Sequence, residues 1–254
     1  MTGVSNPVLR EGMTIYWKEG QAFPAYFFYL VILSSLEFVA LILPVGDAKF
    51  WLGPAFLFKF SAVVALLLLV YFSLRMAGLE FAGWKFTPLR QWLREEKLGV
   101  GIVALGLIFV LFLHVLLLVI LSIPMLAWSG AIARTSLETV VSTVALLCLY
   151  AVSYGVWGLV ALTFWERKVD SRRVFVRWIF VCFFLLSGVL VRTLNPVAFL
   201  LYHVGTLEMT GSPMLGLGWF LTPVMIHMLF HFVVLAFSLC LLAWGLKRIE
   251  KGYA

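Results

Sequence analysis

Of the 254 residues, 63% are hydrophobic and only 12% are charged, about half the charged share of an ordinary soluble domain. The apolar residues come in long blocks, and about twenty such residues span a hydrocarbon core of about 30 Å. A backbone in lipid must satisfy its own hydrogen bonds. The blocks lack the alternation of barrel strands, so an all-α polytopic membrane protein is predicted. The formal charge of +7 does not signal nucleic acid, because the basic residues lie between the blocks, where topology determinants lie.

The polar segment 1–21 lacks the pattern of a cleavable signal peptide. Six spans are then predicted in a single domain covering residues 1–254. They fall at about 24–45, 51–76, 100–124, 139–165, 174–194 and 223–246. A short turn, Gly46-Asp47-Ala48-Lys49, joins the first two, and a mixed charged stretch, 77–99, follows the second. A polar loop with Arg134 and Glu138 follows the third span, and a dense charged turn, 166–173, follows the fourth. An irregular stretch with Gly and Pro, 195–222, precedes the last.

Lys and Arg set the orientation. Arg10 and Lys18; Arg75, Lys85, Arg90, Arg94 and Lys97; Arg167, Lys168, Arg172, Arg173 and Arg177; and Lys247, Arg248 and Lys251 fall on one side. Only Lys49, Arg134 and Arg192 fall on the other, which places the first set and both termini in the cytoplasm. Cys148, Cys182 and Cys240 all sit inside apolar blocks without metal spacing and read as small buried hydrophobes.

Ionisable groups at membrane depth are costly and usually have a partner. Glu37 and Lys59 each lie about eight residues, or about 12 Å, from the outer end of adjoining antiparallel spans, so an ion pair is predicted. It either fixes the hairpin register or forms a substrate or proton site. His227 and His231 share one helix face, and His114 on the third span matches His231 in depth. Interhelical hydrogen bonding accounts for such histidines. The alternative is a haem- or quinone-binding membrane anchor of a redox complex, using His114 and His231. No phosphate-binding loop, no H-E-x-x-H and no G-x-S-x-G is present, so no catalytic residue and no metal site is expected.

The most informative stretch is 86–99, Phe-Thr-Pro-Leu-Arg-Gln-Trp-Leu-Arg-Glu-Glu-Lys-Leu-Gly. Thr87-Pro88 is a helix-entry signal, and Leu89, Trp92 and Leu93 recur at helical spacing with Arg90 and Arg94 on the other flank. Such a short amphipathic helix either rests on lipid headgroups or docks into a partner protein. With Thr87-Pro88-Leu89 and Lys97-Leu98, the sequence resembles type-2 ABC transporter permeases, the membrane subunits of ABC exporters. The order of further motifs extends the resemblance over nearly the whole chain. These are Asn6-Pro7-Val8-Leu9-Arg10, a third span ending in a Leu121-Ser122-Ile123-Pro124 turn, Gly130, Tyr154-Gly155-Val156-Trp157-Gly158-Leu159 and Asn195-Pro196-Val197-Ala198. Glu96 stands where the family often has Gly, and the N-terminal segment is less basic than in the family.

The resemblance implies a six-span permease with an N-terminal interfacial helix over 4–18. It also implies a cytoplasmic coupling helix carrying Thr87, Pro88, Leu89, Trp92, Leu93, Arg94 and Lys97. Re-entrant helices between spans five and six would close an outer gate with Asn195, Pro196 and Glu208, although Glu208 also reads as an exposed loop residue. Glycines 205, 211, 216 and 218 permit the bends such a segment needs. The resemblance further implies an ATP-driven exporter in the bacterial or archaeal cytoplasmic membrane, forming half of the pathway. Its partners would be separate ATPase subunits, a second copy or related permease, and membrane lipids. ATP and magnesium would sit on the ATPase, with no cofactor on this chain and no enzymatic activity of its own. An assembly or scaffold subunit is the remaining reading of the same bundle.

Overall fold

The computed structural model describes residues 6–18, 20, 22–42, 55–80, 86–182, 194–205 and 222–252. The protein is all-helical, with no strand among those residues. The elements are α1 (Pro7–Met13), α2 (Phe23–Ile42), α3 (Phe56–Arg75), α4 (Val100–Ile132), α5 (Leu137–Phe164), α6 (Val169–Val181), α7 (Pro196–His203) and α8 (Pro223–Glu250). Wide π-helical turns, Thr14–Lys18 and Met76–Glu80, continue α1 and α3, and a third, Gln91–Glu95, precedes α4.

The helix starts follow from local chemistry. Asn6, Asn195 and Thr222 each precede a proline and accept a backbone N–H of the first turn, which satisfies donors that the helix leaves open. Ser136 does the same for α5, accepting from Thr139 at 3.2 Å.

Among the described residues, five helices are long and apolar enough to cross a membrane: Phe23–Ile42, Phe56–Leu79, Val100–Ile132, Leu137–Phe164 and Val224–Glu250. The expected fifth span, 174–194, is not among them. Its described helix, α6, has 13 residues, or about 20 Å, too short to cross, and 183–193 lie outside the described residues. The predicted turn 46–49 and Glu208 also lie outside them.

Two of the expected boundaries change. Helix α4 does not turn at Pro124 but carries it inside a 33-residue helix that ends at Ile132. Packing among spans compensates for the missing N–H of such a proline. The N-terminal segment does not lie across the end of the bundle. Asn6 donates to the Ile102 carbonyl at 2.7 Å, Val8 sits against Gly106, Gly12 against Val110, and the Tyr16 ring lies 5.9 Å from His114. Four successive contacts on α4, the last three at four-residue steps on both helices, mean that α1 and its π turn climb alongside α4. Small residues permit it, since a side chain on Gly106 would meet Val8 at 2.7 Å.

Helices α3 and α5 are the most buried of the five. They run in the same direction and touch through glycine. A Cβ on Gly158 would lie 2.6 Å from the Leu74 carbonyl oxygen and 3.0 Å from the Gly78 nitrogen, atoms that cannot move aside. Helix α8 follows α5 in parallel, with His227 beside Tyr150 and Gly245 beside Thr163. Asn6, the ends of α3, α5 and α8, and the start of α4 thereby gather at one end of the bundle, the end rich in Lys and Arg.

Gly158→Ala is expected to destabilise the protein by about 1–3 kcal/mol through overpacking against backbone. Gly101→Ala, which meets nothing within 4 Å, should gain up to about 1 kcal/mol from helix propensity. Apparent melting temperatures of the two variants in detergent should therefore move in opposite directions.

Candidate functional site

The basic end is built around residues 86–98. Glu11 of α1 reaches this segment, its carboxylate accepting the Thr87 backbone N–H at 2.5 Å and the Thr87 hydroxyl at 2.9 Å. Glu166, just past α5, accepts the Leu89 N–H at 2.6 Å. Two carboxylates from separate segments thus hold the first N–H groups of a helical turn, where negative charge is favoured. The turn ends with Lys97 in the left-handed conformation (φ 54°) and the Leu98 N–H on the Trp92 carbonyl at 2.9 Å. The left-handed residue is Lys97 itself, not the preceding Glu96, where the resembling family often has glycine.

Leu89, Trp92 and Leu93 are buried in the bundle, so they are not a free docking face as the sequence pattern suggested. Their helical spacing reports packing against the chain's own helices. The residues left exposed are Pro88, Gln91, Arg94, Glu95, Glu96 and Lys97, while Thr87 is half-buried. Arg94 reaches the C-terminal turn of α8 and contacts Gly252, a favourable place for a cation at a helix C-terminus. Glu11 and Glu166 were not singled out from sequence. Glu166 carried one signal, acidity within a strongly basic turn, and Glu11 none.

Two cavities adjoin this turn. One, about 330 Å³, is bordered by Thr87 to Gln91 with Leu162 and Glu166. The other, about 360 Å³, lies between Arg90, the α5–α6 turn and the end of α8.

Within the spans, Glu37 and Lys59 are both buried, but the expected ion pair is not formed among the described residues. Ser61, rather than Lys59, faces the carboxylate from α3, and residues two apart on a helix point to different sides. Ser61 gives its hydroxyl to the Leu57 carbonyl at 2.9 Å, and among the described residues neither Glu37 oxygen has a hydrogen bond.

The membrane histidines fall into two separate clusters. His114 Nδ1 pairs with the Tyr26 hydroxyl at 2.8 Å, between α2 and α4. His227 Nε2 pairs with the Tyr150 hydroxyl at 2.5 Å and its ring stacks on Phe199 at 3.8 Å, while His231 Nδ1 lies 3.4 Å from the Tyr154 hydroxyl. His114 thus serves the α2–α4 contact and His231 the α5–α8 contact. No group of three or more metal-ligating side chains occurs among the described residues.

Of the expected outer-gate residues, Asn195 and Pro196 are buried at the start of α7, and the Asn195 side chain accepts the Ala198 N–H at 2.9 Å. His203, at the other end of α7, pairs with the Ser142 hydroxyl at 2.8 Å. Phe199 therefore lies level with Tyr150 and His203 level with Ser142, so α7 ascends inside the bundle next to α5.

Compared with family models, curated proteins and solved structures, the chain matches none.

Glu11→Ala should lower stability by about 1–3 kcal/mol, because two donors at Thr87 lose a charged acceptor. Glu11→Gln should recover part of that loss, as read by apparent melting temperature. Burial pushes the His203 imidazole below its ordinary value, so the folded state favours its neutral form. Its contribution to stability is present above the unfolded value of about 6.5 and is lost as pH falls below it. Melting temperature measured from pH 7.5 to 5 should fall less steeply in His203→Gln than in the wild type.

Proposed function

We propose that this protein is the transmembrane subunit of an ATP-driven ABC transporter, an exporter, and forms half of a translocation pathway. The observation that carries this reading is the anchoring of residues 86–98 at the basic end. One face of that turn is buried and its first N–H groups are tied to α1 and to the α5–α6 turn through Glu11 and Glu166. Arg94 ties it to the end of α8. A push on its exposed face is thereby delivered to several helices at once, as a coupling element requires.

The chain has no phosphate-binding loop, so nucleotide hydrolysis with ATP and magnesium belongs to a separate ATPase subunit. A second copy or related permease completes the pathway in a cytoplasmic membrane, with the basic end and both termini inside. The sixth crossing of this reading is the span expected from sequence at 174–194, whose described part lies in α6. The His203 end of α7 belongs to the outer gate, and Asn195 and Pro196 start the helix deeper in the bundle. The contact with the ATPase is made by the polar face at Pro88, Gln91 and Glu95, since Trp92 and Leu93 are occupied inside the bundle.

The test is purification of the full-length chain from its native membrane, followed by mass spectrometry and an ATPase assay. A co-purifying subunit with a phosphate-binding loop is expected. It should be lost in Gln91→Arg with Glu95→Arg, while the variant still elutes like the wild type. An intact assembly without any nucleotide-binding subunit would sink the reading. A Soret band in its visible spectrum would transfer the function to the redox alternative.

A further inference from the structure

The buried stripe of α2 is Tyr26, Tyr29, Leu33, Glu37 and Ala40, so Glu37 lies on the seam where α2 packs and not toward lipid. Its side chain is fully buried, and among the described residues neither carboxyl oxygen has a hydrogen bond or an ion pair. An ionised carboxylate buried without a partner costs several kcal/mol, and buried charges are for that reason paired.

The protons of the neighbouring hydroxyls are committed elsewhere. Ser61 is the α3 side chain placed to interact with the carboxyl, and its one hydroxyl proton goes to the Leu57 carbonyl at 2.9 Å. Ser61 therefore turns a lone pair, not a donor, toward Glu37. Tyr29 lies within electrostatic reach of Glu37 on α2 itself. Its hydroxyl pairs with Ser122, whose own proton goes to the Leu118 carbonyl at 2.8 Å, so Tyr29 is the donor of that pair. The elements packed on α2 are α3 and α4. Their remaining titratable groups are directed elsewhere. Lys59 is two positions from Ser61 and hence on another side of α3, Tyr71 lies against Phe180 of α6, Arg75 is at the basic end, and His114 pairs with Tyr26. Two acceptors that face each other need a proton between them, and the described groups leave only the carboxyl's own.

We propose that Glu37 is a proton-binding site within the membrane, which holds a proton on one carboxyl oxygen, directs it at Ser61 Oγ and thereby closes the α2–α3 seam. The ligand is the proton itself. Its release breaks the carboxyl O–H bond, leaves the electron pair on the carboxylate and passes the proton to water, so water must enter between α2 and α3. Outside its buried stripe the side chains of α2 are exposed or half-buried, so the helix is held chiefly by that stripe. Ionisation of Glu37 thus loosens α2 from α3. The inference stands apart from the transporter reading and needs no ATPase.

The purified full chain in detergent is compared with Glu37→Gln by infrared difference spectroscopy. At neutral pH the difference should contain the carbonyl stretch of a protonated carboxyl, shifted down in deuterium oxide; carboxylate bands in its place overturn the proposal. In Ser61→Ala the same band should move up in frequency, because its acceptor is gone, and an unmoved band overturns the assigned contact. If Glu37→Gln fails to elute as a folded species, the difference between wild type and Ser61→Ala isolates the band and decides. Hydrogen exchange of the α2 amides, corrected for its intrinsic rise with pH, should quicken several-fold at alkaline pH in the wild type and stay constant in folded Glu37→Gln. An equal quickening in both overturns the loosening by ionisation.

Discussion

The bundle depends on the close approach of α3 and α5. Gly158 lies against the Leu74 carbonyl and the Gly78 nitrogen, so backbone meets backbone with no side chain between. In lipid, where apolar side chains gain little by leaving the solvent, helices associate through such close packing and through interhelical hydrogen bonds. The α3–α5 pair therefore forms the centre, and the other elements are laid on it. Val176 of α6 packs on Gly78, Leu111 of α4 on Gly155, and α8 follows α5 down its length.

Polar contacts then fix what packing leaves adjustable. The tyrosine–histidine pairs join α2 to α4 and α5 to α8, and a hydroxyl pair between Tyr29 and Ser122 adds a second bond on the first of these seams. Each pair satisfies groups that have no water to turn to. Glu37 stands among the exceptions, buried with neither oxygen hydrogen-bonded among the described residues. At the basic end the same economy takes another form, because two carboxylates cap a short turn and an arginine lies against the end of α8. This is where the bundle is tied to residues 86–98.

Much of this was legible in the sequence. The Asn-Pro and Thr-Pro pairs at residues 6, 195 and 222 each start a helix, as the side-chain acceptor and the proline favour. Leu89, Trp92 and Leu93 were seen to share a helical face, but periodicity tells only that a face is apolar. It does not tell whether the chain's own helices or another protein covers it. Equal depth suggested that Glu37 pairs with Lys59, yet depth fixes only one coordinate, and rotation about α3 turned Ser61 toward the carboxylate instead. Pro124 read as the end of a span because a proline lacks one N–H, a loss that neighbouring helices make good.

The sequence by itself determined the solvent and the element type. Blocks of apolar residues leave the backbone no partner but itself, and the distribution of Lys and Arg marks one end of every span. Only the tertiary structure decided that α1 climbs along α4, that Glu11 and Glu166 converge on one turn, and that four cations from three segments border one cavity. Those relations rest on which face each helix turns inward. That choice is made by close contacts between residues tens of positions apart, and local pattern carries no record of them.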